Sequence, residues 1–352
     1  MNNSQRFTTL DGIRGVAAIS VMLFHYTQDT THPILQNASL AVDIFFCLSG
    51  FVLAYSYSTK LKGSLSTFGF LKKRLVRLYP MYTIGLAIGL IALIAKVLSA
   101  QTNLSLNNAL ESAISNLFYI PYIHSFYIKI GNAKIASAIF PLNDPAWSLF
   151  FELMVNIFFA LVIFFPEPLG DPLLLAVVSG LALVAYSALT HIGEGGWGAS
   201  NFIGGIPRTW FGFFSGVLLY EFSDKIKNRV PNINPVLLLA TTLGIFLIPT
   251  DNNMWLKTWL LSALVVVPVI VAFGSTSQTD NSQINYVAGY LGWISYPLYC
   301  VHFPIYSLFT TITNNRNYGI SGVVICSLVS WGVAHYSSKL IEEPVRGWLS
   351  GK

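Results

Sequence analysis

The chain has 352 residues, of which 54% are hydrophobic and only 10% charged, with a formal net charge of +5. A soluble domain usually carries about a quarter charged residues, so this composition, with a mean hydropathy of +0.60, excludes an ordinary soluble enzyme. It gives no basis for a nucleic-acid partner either. The expected fold class is all-α: a polytopic membrane helix bundle of about ten transmembrane helices, both termini cytoplasmic, forming a single domain over 1–352.

The expected spans fall near 10–28, 38–58, 78–99, 146–165, 172–190, 204–222, 234–250, 255–273, 286–311 and 319–341, many close to the roughly 20 residues that cross a bilayer. Segment 107–128 is apolar and aromatic but broken by Asn107, Asn116 and Pro121, and reads as a partial or interfacial helix. The first apolar segment lacks a cleavable signal pattern and reads as a retained anchor. With a cytoplasmic N-terminus, the inner side collects Arg6, Arg14, Lys60, Lys62, Lys72, Lys73, Arg74, Arg77, Lys225, Lys227, Arg229, Lys339, Arg346 and Lys352. The outer side receives only Lys96, Lys129, Lys134, Arg208, Lys257 and Arg316, the asymmetry of the positive-inside rule. Cys47, Cys300 and Cys326 lie inside apolar segments and read as small packing residues, not as a metal site.

Ionisable groups inside spans are costly and point to function. In the first span Arg14 and His25 are 11 residues apart, which places them on one helix face about 16 Å apart, with Asp11 a turn before. The plain alternative is that both ends snorkel to opposite interfaces. In the second span Asp43 falls at the depth expected for His25, where a carboxylate can fix an imidazole's tautomer. Ser49 and Gly50 read as helix-packing residues. Arg74 and Arg77 follow, adjacent on one face and suited to clamp phosphate. Positive-inside charge or anionic-lipid binding explains them equally simply, and Lys72 and Lys73 read as that alone.

In the fourth span Ser148, Glu152 and Asn156 form a polar stripe below Trp147, and a packing role for Glu152 paired with Arg208 is the competing account. In the ninth span Ser295, Tyr299 and His302 share a face, and Pro297 and Pro304 should kink the helix and free carbonyls. His302 is equally readable as a hydrogen-bonded core residue. On this topology His25, Asp43, Glu152 and His302 share the outer half of the bilayer, whereas Arg14, Arg74 and Arg77 stand at the inner face.

The Arg14–His25 spacing, DIFFCLSGF, RLVRLYP, WSLFFE, SYPLYCVHFPI and the terminal EEPVR occur in order from residue 10 to about 346. With them the chain resembles acyltransferase family 3, membrane proteins that O-acylate cell-surface polysaccharides. The resemblance implies a cytoplasmic acyl donor, usually acetyl-CoA, essential positions at Arg14, His25, Arg74 and Arg77, and a place in the cell membrane. Some members carry an appended extracytoplasmic hydrolase-like domain; none is expected here, so transfer is direct or relies on a separate extracytoplasmic transferase.

The expected reading follows. The donor site is Arg14, Arg74 and Arg77, with the pantetheine arm along the first span. The catalytic group is His25, Asp43, Glu152 and His302, with His25 oriented by Asp43 or Glu152 and acting as general base or as a transient acyl carrier. No metal is expected; the partners are acyl-CoA, a glycan acceptor and membrane lipid. A proton-coupled transporter or an idle assembly scaffold are the other readings of the same polar layer.

Overall fold

Polar side chains set the starts of several long apolar helices. Asp171 accepts from the Leu173 amide at 2.8 Å, Asn234 from Val236 at 2.9 Å, and Asn281 from Gln283 and Ile284 at 3.0 and 3.2 Å. Pro172 and Pro235 follow two of these caps, where the missing amide costs nothing. In the computed structural model, residues 7–30, 33–124, 127–130, 133–136, 139–162, 170–248, 254–315 and 318–349 are described. Arg6, Arg316 and Lys352 of the charge count, and the far ends of expected spans 146–165 and 234–250, lie outside them.

In chain order come α1 (Thr8–Thr27), α2 (Leu40–Leu61), α3 (Thr67–Leu98) and α4 (Leu106–Leu117). A two-stranded hairpin, β1 (Tyr127–Ile130) and β2 (Ala133–Ala136), separates these from α5 (Ala146–Val162), α6 (Pro172–Thr190), α7 (Gly205–Glu221) and α8 (Ser223–Arg229). Then follow α9 (Pro235–Leu247), α10 (Trp255–Leu261), α11 (Val267–Thr276), α12 (Ser282–Thr313), α13 (Gly319–Ser337) and α14 (Glu343–Leu349). π turns join α10 to α11 and α13 to α14.

Six stretches are long and apolar enough to cross a membrane: α2, α3, α6, Ala199–Glu221, Trp255–Thr276 and Gly319–Leu349. Helices α5 and α9 are apolar but shorter. The remaining expected spans coincide with α1 and α12, which pack against each other at the centre of the bundle. Their polar residues fit that position, because a helix surrounded by other helices can carry groups that lipid would exclude. Segment 107–128 contains the 12-residue α4, about 18 Å long and too short to span.

The bundle is all-α as expected, apart from one short hairpin. Strands β1 and β2 pair antiparallel, Tyr127 opposite Ala136.

Close packing depends on glycine at two contacts. A Cβ on Gly50 of α2 would run into the Phe213 carbonyl of α7, and one on Gly15 of α1 would collide with Leu291 of α12. Helix α12 stays continuous through Pro297 and Pro304. Pro304 cannot donate to the Cys300 carbonyl; the Asn143 amide donates there instead, at 2.9 Å.

Candidate active site

A cavity of about 510 Å³ runs between α1, α2, α3, α5 and α12, a size typical of ligand sites. Helical periodicity selects its walls. Phe7 at the N-cap of α1 and Leu10, Asp11 and Arg14 within it follow the three-and-four spacing of one face, as do Val42, Phe45, Ser49, Val52 and Ser56 among the lining residues of α2.

One end is rich in arginine. Helix α3 runs 32 residues without a break, about 48 Å, so its first turns extend past any hydrocarbon layer. Lys72 and Lys73 are exposed there. Arg74 turns inward, buried, and donates to Glu152 Oε1 at 2.7 Å, while Ser49 donates to the same oxygen at 2.8 Å. The Arg74 Nε is buried with no hydrogen-bond partner among the described residues. Arg77, one turn on, is exposed at the cavity mouth. Arg14 lies 3.5 Å from Asp11.

The two arginines therefore differ. Arg74 is tied to a carboxylate and keeps its Nε unused among the described residues, whereas Arg77 is exposed at the opening. Glu152, expected at the depth of His25, instead belongs with the arginines.

At the other end the cavity closes on Ser148, Phe45 and Tyr299. The Tyr299 hydroxyl lies 2.7 Å from Ser148 Oγ and donates to the Pro145 carbonyl at 3.1 Å, and Phe45 meets its ring edge-on, centroids 5.4 Å apart. Behind Tyr299 stands His302, fully buried, and His302 meets His25 of α1 with Nε2 3.0 Å from the His25 Nδ1. Ala18 and Val21 are buried between Arg14 and His25, so the cavity does not follow α1 to the histidine.

The histidine pair has one consistent proton arrangement when both rings are neutral. His302 Nδ1 lies 2.9 Å from the Tyr299 carbonyl oxygen and 3.1 Å from that of Leu298. Carbonyls only accept, so this nitrogen carries the proton and Nε2 carries the lone pair. His25 must then donate from Nδ1, which leaves the His25 Nε2 with a lone pair. His25 is half-buried, beside the rings of Phe24 and Phe303.

Asp43 lies elsewhere. Arg208 of α7 donates to both its oxygens, Nε at 2.9 Å and Nη2 at 2.7 Å, in a fully buried fork. The guanidinium sits near the rings of Trp147 and Trp259, 5.3 and 5.1 Å from their centroids, and also donates to the Ser39 carbonyl. At 100° per residue Asp43 points away from the face of Val42 and Phe45. The orienting contact expected from Asp43 or Glu152 comes geometrically from His302. Arg208 thus pairs with a carboxylate, but with Asp43 and not with Glu152.

The connection between α6 and α7, over this pair, includes Glu194, half-buried. Burial raises its carboxyl above the ordinary range, opposed by Arg208 and a Ser39 hydrogen bond and reinforced by Asp43. Among the described residues no group of three or more His, Cys, Asp or Glu is placed to hold a metal ion.

Sequence reasoning missed Phe45, Tyr296 and Asn143. Only Tyr296 carried a signal, its place one residue after Ser295 in the polar part of α12.

A family model described as an acyltransferase domain matches residues 7–335. "Protein 2 in picA locus" of Rhizobium radiobacter is 38% identical over 165 residues, covering 44% of this chain and 82% of that protein. The peptidoglycan O-acetyltransferase OatA of Listeria monocytogenes is 24% identical, covering 96% of this chain and 55% of that protein. The chain thus spans about half the length of the Listeria relative. No solved structure matches it.

Proposed function

Because the chain belongs to the acyltransferase-domain family and is a multi-pass membrane acyltransferase, we propose that it moves an acyl group, in the simplest case acetyl, from cytoplasmic acyl-CoA to a hydroxyl of a cell-surface or exported polysaccharide. The observation that carries this reading is the cavity, lined at one end by Arg14, Arg74 and Arg77 and closed at the other by Tyr299, whose carbonyl holds the His302–His25 pair. The O-acetyltransferase name of the Listeria relative supports the reaction class and the acceptor class.

Helices lie at each of the ten expected positions, α10 with α11 counting once, and six of these stretches are long and apolar enough to cross a membrane. Together with the asymmetry of basic residues this supports both termini on the cytoplasmic side of the cell membrane. The arginine end then faces the cytoplasm and the histidine end the exterior.

In the reaction the donor's phosphates meet Arg77, Arg14 and the unused Nε of Arg74. The thioester lies toward Phe45 and Tyr299, which must part for it to reach His25. His25 Nε2 takes the proton of an acceptor hydroxyl as its oxygen attacks the thioester carbonyl. The tetrahedral adduct collapses, the C–S bond breaks, and the proton passes from His25 to the departing thiolate. His302 keeps the attacking-side nitrogen of His25 unprotonated by accepting at the other.

The test is transfer of radiolabel from acetyl-CoA to a polysaccharide acceptor by purified wild type and His25→Ala. The variant should lose label incorporation; undiminished transfer would remove His25 from the mechanism.

A further inference from the structure

We propose that Phe7, Tyr55 and Tyr57, at the arginine end of the cavity, form a subsite for the aromatic base of a nucleotide-bearing donor. The inference rests on the acyl-CoA reading and adds a second recognition element to it. All three rings line the cavity together with Arg14 and Arg77.

Each ring is braced by edge-on aromatic contacts. Phe7 and Tyr55 meet at 85° with centroids 5.2 Å apart, and Phe7 also meets Phe51 at 5.3 Å. Tyr57 meets Phe70 at 77° and 5.1 Å. Tyr55 and Tyr57 are half-buried. Aromatic residues near a helix end commonly form an interfacial belt, but belt rings face lipid, and these face the cavity.

Arginines alone recognise any phosphate, so an acyl phosphate or a phospholipid would satisfy them equally. A nucleotide also brings a flat π-face, separated from its phosphates by one sugar. Aromatic rings beside guanidinium groups match that combination, because bases stack on aromatic side chains and guanidinium planes. A donor without a base would leave the rings unused.

The test measures binding of acetyl-CoA and of acetyl-4′-phosphopantetheine, which lacks the 3′-phospho-AMP portion with its base, to the purified full-length protein. Wild type should prefer acetyl-CoA. Tyr55→Leu should weaken acetyl-CoA about tenfold, within the range known for base stacking, and leave the truncated donor unaffected. Tyr55→Phe, which keeps the ring, should retain wild-type affinity. Phe7→Leu carries the same comparison if Tyr55→Leu fails to fold.

Equal affinity of wild type for both donors would overturn the subsite while leaving the acyl-CoA reading intact. A Tyr55→Leu loss shared equally by both donors would overturn it as well. Binding of neither donor by wild type would end the acyl-CoA reading and the subsite with it.

Discussion

His25 and His302 are joined ring to ring, Nδ1 to Nε2 at 3.0 Å, and the proton on His302 Nδ1 is fixed by backbone carbonyls of its own helix. Helix α12 therefore determines which nitrogen of His25 is free. Tyr26, next to His25, reinforces the register by donating to the His302 carbonyl at 2.9 Å.

His302→Leu should lower kcat roughly tenfold to a hundredfold, a fraction of what general-base catalysis contributes, with little change in the donor KM. His302→Gln can place its amide oxygen near the lost Nε2 and should recover part of kcat. Steady-state kinetics of the two variants decide this; a Leu variant as fast as wild type would remove the positioning role.

Asp43→Ala should destabilise the protein by about 3–5 kcal/mol, the cost of stranding one member of a buried ion pair, here Arg208. The double variant Asp43→Leu with Arg208→Met should unfold at a higher temperature than either single variant, because neither member of the pair is left stranded. Its folded fraction should retain acyl transfer. Thermal unfolding in detergent, with activity normalised to folded protein, would expose a direct catalytic role for Asp43 if activity vanished in the stable double variant.

Arg77→Gln should weaken donor binding by about 1.5–3 kcal/mol, the value of a hydrogen bond to a charged group, with little effect on stability because Arg77 is exposed. Arg74→Gln should in addition lower stability, since Glu152 loses its 2.7 Å partner. Adding Glu152→Gln should restore part of that stability. Equal thermal stability of the two single variants would contradict the different placement of these arginines.

Glu194 provides a pH dependence. Its carboxyl is raised on folding, chiefly by burial, so the folded state binds a proton more tightly than the unfolded chain. That contribution to stability is full below the ordinary carboxylate pKa and is lost as pH rises through the raised value. Glu194→Gln should flatten this part of the stability profile, and amide exchange across residues 191–204 at several pH values measures it. An unchanged slope in the variant would assign the dependence to other groups.

The candidate site was partly legible along the chain. Arg14 and His25 share a helix, and Arg74 and Arg77 share another, so their relation follows from 100° per residue alone. Glu152 and Asp43 were assigned by depth, which ignores rotation about the helix axis. Rotation is set by contacts such as Gly50 against Phe213, and it turns Asp43 toward Arg208 and Glu152 toward Arg74. Strands β1 and β2 do carry a sequence signal, apolar residues alternating with Lys129 and Lys134 on the two sides of Gly131-Asn132, the pattern of a hairpin.

By itself the sequence determined the membrane character, the helix positions, the clustering of arginines near one end and the motifs of the family. These are local properties, fixed by side-chain hydrophobicity and by spacing within single helices. Only the tertiary structure decided the pairings: His25 with His302, Asp43 with Arg208, Glu152 with Arg74, and a cavity that stops at Tyr299. Each pairing joins residues more than seventy positions apart, and depends on which helices are neighbours and how each is turned, which close packing of whole helices sets and no single segment encodes.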